Sequence, residues 1–151
     1  MLSTPISVDE ERFVRAFLKE YAASPGGDWL ADVPVDKMSF RFCSVLSGDT
    51  NGLFSWLHPN TIFLAAPPQD LFSILWVTSH FRTIIHELRH AWQWRQNSLW
   101  YLLRCTIRRW TLEKDAKAVE EAALSFINGW EKRNGGKVSQ MVKQKSTKHT
   151  G

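Results

Sequence analysis

Cysteine is almost missing from this chain of 151 residues. Only Cys43 and Cys105 occur, neither in a Cys-x-x-Cys pair, so no disulfide framework is expected and each reads as a small buried hydrophobe. Long apolar runs are missing too. No uncharged apolar stretch approaches the roughly 18 residues of a membrane span. The segment from Met1 to Glu11 is polar and acidic and lacks the apolar core of a signal peptide, which makes a reducing cytoplasm the expected compartment. Acidic residues are absent from residues 133–151, where Arg133, Lys137, Lys143, Lys145 and Lys148 stand. That segment carries a charge of +5 against +4 for the whole chain, so residues 1–132 sum to −1. The basic balance describes the tail rather than the domain. The partner it points to is nucleic acid, contacted weakly through the tail.

What is present suits one α+β domain with its own core. Residues 1–132 are assigned to it and residues 133–151 to a basic, disordered tail, with no internal repeat. Eight tryptophans and nine phenylalanines supply a well-filled core, and can also line apolar subsites. Ser7 and Glu10 form a capping box that starts a helix, and Val14, Phe17, Leu18 and Tyr21 give it one apolar face. Pro25-Gly26-Gly27 ends it. Met38, Phe40 and Phe42 alternate with Ser39 and Arg41 as in a half-buried strand, and the turn-rich Ser47 to Gly52 predicts a hairpin returning through Leu53 to Leu57. Thr61 to Ala65 reads as a third strand, so the sheet has three strands or more. Gln69 to Gln96 is helical in pattern, with a possible break at Thr78-Ser79, and Leu99 to Arg109 is a further helix after the cap-like Asn97 and Ser98. Thr111 to Lys132 is the last, stopped by Asn134-Gly135-Gly136.

The chemistry sits in the central helix, at His86-Glu87-Leu88-Arg89-His90. Two histidines four apart share one helix face, and their imidazoles can hold one zinc ion. Glu87 follows the first histidine and points towards the open coordination position, where it can serve as general base and then acid. Phe81, Ile84, Ile85, Leu88 and Ala91 make the helix strongly apolar, and two histidines and a glutamate in such a place are costly unless satisfied. A metal satisfies them.

Zinc needs a third protein ligand. The metzincin spacing requires Gly at 93 and His at 96, and both are Gln here. A SprT-like histidine downstream is also missing, since the next one is His149 in the tail. A glutamate from the following helix remains, and Glu113 is its best candidate, 23 residues after His90, with Glu120 in reserve. Ala116, between them, allows close approach to the motif helix.

HELRHAWQ followed by the Glu113-Lys114-Asp115-Ala116 segment resembles the gluzincin zinc peptidases, above all small single-domain members of bacteria and phages such as the ImmA-like peptidases. The resemblance covers about Leu53 to Phe126, and its specific core is His86, Glu87, His90, Glu113 and Ala116. It implies a zincin-like fold: an N-terminal helix, a small twisted sheet, the motif helix, then the ligand helix. It also implies a sheet edge beside the cleft that holds an extended peptide, with Thr61 to Ala65 as the candidate edge. Thermolysin-like members carry Asp four residues after the glutamate ligand to orient the first histidine; Lys117 stands there, leaving Asp115 or Glu120 for that task. Tyr101, Arg104 and His80 are candidates to stabilise an oxyanion.

The expected function is a zinc-dependent metallopeptidase acting on a peptide or protein, with Glu87 as general base and His86, His90 and Glu113 on Zn²⁺. The alternative is a non-enzymatic zincin-fold adaptor or phage structural protein, with structural zinc and a tail on nucleic acid. Leu99 to Arg109 is both apolar and basic; packing of its apolar face in the core is expected, with the arginines in water, although such a stretch also suits a membrane surface or nucleic acid. Trp92, Trp94 and the turn residue His58 are expected to be structural.

Overall fold

A computed structural model describes residues 2–46, 50–68 and 72–149. Among them are six α-helices and one four-stranded mixed sheet. The strands are β1 (Ser3–Pro5), β2 (Ser39–Cys43), β3 (Gly52–Phe54) and β4 (Thr61–Ala65). The helices are α1 (Val8–Ala22), α2 (Ser73–Ser79), α3 (Phe81–Gln96), α4 (Ser98–Ile107), α5 (Arg109–Ala122) and α6 (Leu124–His149). Two short 3₁₀ turns, Asp28–Asp32 and Val35–Lys37, lead from α1 into the sheet.

The capping box forms as its sequence requires. The Glu10 amide donates to Ser7 Oγ at 3.2 Å, and the Ser7 amide donates to Glu10 Oε2 at 2.6 Å. Val14, Phe17, Leu18 and Tyr21 are all buried, so the apolar face of α1 is the one that meets the core. Phe17 stacks on Phe81 of the motif helix with ring centroids 4.2 Å apart. Trp130 of α6 stands edge-on to both, at 5.8 and 5.0 Å. Three helices distant in sequence are thereby joined at one aromatic cluster.

The sheet differs from expectation. Its order is β1-β2-β4-β3, so β2 and β3 are not a hairpin. β4 lies between them, parallel to β2 and antiparallel to β3. The reason is visible in β4 itself: Ile62, Phe63, Leu64 and Ala65 are buried in succession, and an unbroken apolar run suits a central strand covered on both faces. β4 is therefore not an edge. The edges are β1 and β3, and β3, the one beside the motif helix, is shorter than expected. Of the turn expected to join β2 to β3, residues 47–49 lie outside the described residues, as do residues 69–71 at the expected start of the next helix. β1, antiparallel to β2, carries too little apolar alternation in three residues to be seen beforehand.

Three helix boundaries also differ. The break between α2 and α3 falls at His80, just after Thr78-Ser79. The expected helix from Thr111 to Lys132 is two, divided at Ala123. Helix α6 then runs through Gly135 and Gly136 to His149, so the pair does not stop it and residues 133–149 are helical. Two glycines cost a helix only about 2 kcal/mol together, and Val138 beyond them is buried, which offsets part of that.

Trp130→Ala removes the side chain that ties α1, α3 and α6 together. We expect a loss of about 3–5 kcal/mol in unfolding free energy, read from urea denaturation. A loss under about 1 kcal/mol would mean that α6 is not part of the core.

Candidate metal centre

The motif helix α3 is pinned by apolar side chains that reach zero exposure: Phe81, Ile84, Ile85, Leu88 and Ala91. Their spacing leaves His86 and His90 on the opposite side, facing α5. Ala116 of α5 is fully buried, and its single methyl lets the two helices come close. Glu113 and Glu120, seven apart on α5, then face the histidines as two carboxylates one above the other.

The donors converge. His86 Nε2 lies 3.2 Å from His90 Nε2 and 3.2 Å from Glu113 Oε2, and His90 Nε2 lies 3.5 Å from Glu113 Oε1. Among the described residues, these three are the one group of His, Cys, Asp and Glu side chains close enough to share a metal ion. Donors held about 2.0–2.1 Å from a tetrahedral ion are about 3.3 Å from each other, so the observed spacing fits such an ion.

The second nitrogen of each ring decides the protonation. His86 Nδ1 donates to Glu120 Oε2 at 2.8 Å, and Glu120 Oε1 accepts from Arg82 Nε. His90 Nδ1 is 2.8 Å from Gln93 Oε1. The Gln93 amide has only one sensible orientation, because its Nε2 donates to Leu112 O at 3.0 Å and to Asp115 Oδ2 at 2.8 Å. Its oxygen must then face His90, so the His90 proton sits on Nδ1. In the neutral state both rings carry their hydrogen on Nδ1 and turn bare Nε2 lone pairs towards each other. Only a proton or a cation between them relieves that repulsion.

The electrostatics follow. Hydrogen bonding to His90 and the nearby histidines hold the Glu113 carboxyl at about 2, despite some desolvation. Burial alone lowers the His90 pKa, but Glu113, Glu87 and Gln93 outweigh it and the net shift is upwards. Desolvation raises the Glu87 pKa, and the histidines and the Phe54 amide oppose it only in part. Asp115, despite its burial, is held below the usual carboxylate range by Arg89 and Gln93.

Glu87 occupies a narrow place between α3 and β3. Its Oε2 accepts a hydrogen bond from the Phe54 amide at 2.7 Å. A Cβ on Gly52 would lie 2.5 Å from Thr83 Cγ2 and 3.0 Å from Glu87 Cγ, so only glycine lets the edge strand pass this close to the motif helix. The cleft that opens there has a volume of about 600 Å³. Asn51, Phe54, Trp56, Tyr101 and Arg109 line it together with His86, Glu87, His90, Glu113 and Glu120.

The expected residues are thus placed with one change of role. His86, His90 and Glu113 come together, with Glu87 beside them. Glu120, held in reserve as a ligand and named with Asp115 as a candidate to orient the first histidine, bonds the far side of His86, whereas Asp115 acts on the other histidine through Gln93. Of the oxyanion candidates only Tyr101 reaches the cleft. Arg104 lies over Trp100 at 4.7 Å on another face of α4, and His80 bonds Trp76 O at 2.7 Å. His58 packs against Phe63, Trp92 lies under Arg89, and Trp94 stands between Trp56 and Tyr101. Gln93 and Arg109 were missed. The signal for Gln93 was its position three residues after His90, within reach on the same helix. The chain matches no protein-family model, no curated protein and no solved structure.

Gly52→Ala forces Thr83 and Glu87 aside. We expect a stability loss of about 1–3 kcal/mol from overpacking, measured by chemical denaturation. An unchanged midpoint would show that β3 does not pass as closely as described.

Proposed function

We propose that this chain is a zincin-like, gluzincin-type zinc metallopeptidase. One observation carries the reading: the Nε2 atoms of two histidines, each with its Nδ1 on a side-chain oxygen, converge with a carboxylate, beside a buried glutamate, at an open cleft. His86, His90 and Glu113 would hold the ion. Zinc, when bound, supplies a Lewis acid that polarises a peptide carbonyl and lowers the pKa of a water.

The chain's own groups divide the remaining work. Glu120 and Gln93 keep the two imidazoles in one tautomer and one orientation. The Phe54 amide fixes one oxygen of Glu87 and leaves Oε1 without a hydrogen bond among the described residues. Oε1 is the atom that can take a proton from water and pass it to a leaving amine. The edge of β3, apart from the Phe54 amide held by Glu87, offers backbone groups to an extended peptide, the task expected from the sequence of Thr61 to Ala65. Tyr101 and Arg109, both in the lining of the cleft, would meet the developing negative charge.

A second reading, a metal-holding but non-catalytic adaptor, draws on the burial of Glu87 and its bond to Phe54, which serve a structural role equally well. Turnover separates the two. The zinc-loaded chain is incubated with a mixed peptide library and cleavage is followed by mass spectrometry, beside Glu87→Gln. We expect cleavage that falls by at least about 100-fold in the variant while zinc remains bound. Zinc binding with no cleavage by either protein would favour the adaptor.

Zinc affinity should depend on pH in a stated direction. The raised His90 pKa means that a proton competes with the ion from above pH 6.5 downwards, whereas Glu113 stays ionised to about 2. Affinity therefore falls on acidification by roughly tenfold per unit for each proton displaced. In the metal-free protein the same shift acts on stability with the opposite sense: its contribution is complete below pH 6.5 and is lost as pH rises through the shifted value. A competition titration with a chelating dye from pH 5 to 8 tests this; a flat profile would contradict the histidine site.

A further inference from the structure

Helix α4 was expected to bury its apolar face, and it buries only a narrow strip at Tyr101 and Cys105. Tyr101 is its one buried residue. Leu99, Trp100, Leu103 and Ile107 are between 46% and 79% exposed, and Trp110 at the start of α5 is 64% exposed. Exposed large apolar residues scattered singly are ordinary, but here they are grouped.

The helix has three rows with different tasks. Leu99, Leu103 and Ile107, each four apart, form an apolar row. Trp100, Arg104 and Arg108 form the adjoining row, in which the Arg104 guanidinium stacks on the Trp100 ring. Tyr101 and Cys105 form the third, which lines the catalytic cleft proposed above. The first two rows bound a recess of about 350 Å³ whose lining is Trp100, Leu103, Arg104, Ile107, Arg108 and Thr111.

The charges that α4 and its C-cap carry are of one sign, Arg104 and Arg108. No Asp or Glu occurs between Glu87 and Glu113. Arg89 is bonded to Asp115, and Arg95 to Pro59 O and Asn60 Oδ1. Arg104 and Arg108 have no carboxylate partner among the described residues.

We infer that α4, with Trp110, docks this protein on an anionic lipid surface. Apolar side chains flanked by arginines match the boundary where acyl chains meet phosphate: leucine, isoleucine and tryptophan enter the hydrocarbon edge while guanidinium groups stay with the phosphates. The match is one of charge as well as polarity, since two unpaired arginines need anions that a purely apolar partner does not supply. Nucleic acid would supply the anions but has no use for Leu99, Leu103 and Ile107, which cannot stack on bases. The outer rows bind while the Tyr101 row stays on the cleft, so docking does not close the site.

The test uses the full chain and flotation with vesicles of phosphatidylcholine, with and without one quarter phosphatidylglycerol. The expected result is binding to the anionic vesicles, weaker in high salt, and weaker by at least about tenfold in Leu103→Glu/Ile107→Glu. Arg104→Glu/Arg108→Glu should lose the preference for anionic lipid. All four positions are partly or largely exposed, so both variants should keep the wild-type Tm, which is measured alongside. Failure of the wild type to float with anionic vesicles overturns the inference. So does equal flotation by the apolar double variant, a wild-type dimer that this variant dissolves, or a DNA duplex held by this face in place of lipid.

Discussion

The constraint on which the site depends is the fate of two ring nitrogens. Each histidine of the motif helix has its Nδ1 committed to an acceptor that cannot release it cheaply: Glu120, itself engaged by Arg82, and Gln93, locked by Leu112 and Asp115. With the hydrogens there, the Nε2 atoms are lone-pair donors 3.2 Å apart. With His90 buried, that arrangement is costly unaided. The neighbouring carboxylate of Glu113 completes a set of three donors close enough to share one divalent ion.

The fold supplies the precision. Helix α3 is fixed by side chains with no exposure, so its polar face has little freedom to turn. Helix α5 approaches because Ala116 has almost no side chain, which brings Glu113 and Glu120 to opposite ends of one imidazole. Strand β3 approaches because residue 52 is glycine, which brings the Phe54 amide onto Glu87. The small residues set the distances, and the polar residues use them. One helix, α4, stands between two surroundings: its Tyr101 row belongs to the cleft and its Leu103 row is exposed.

Local features were legible in the sequence. The capping box at Ser7 and Glu10, the face of α1 and the shared side of His86 and His90 follow from spacing along one helix. Glu113 was legible because it heads the first acidic pair after the motif, on a helix with a small residue at 116. Pairings across the chain were not. Alternation identifies β2 and β4 as strands but says nothing of which is the neighbour of which, so the insertion of β4 between β2 and β3 was invisible. Asp115 and Glu120 were both legible as partners for the first histidine, but the choice of Glu120 depends on one imidazole bridging two carboxylates seven residues apart, which only the packed helices show. Periodicity in α4 revealed an apolar face without saying what covers it.

The most direct test of the donor set is the metal content of the purified full chain after incubation with zinc and removal of the excess, read by mass spectrometry beside Glu113→Ala. One zinc per chain in the wild type, lost or greatly weakened in the variant, is the result the account predicts. A chain that takes up no zinc, or a variant that holds it as tightly as the wild type, would contradict the claim that His86, His90 and Glu113 form the site.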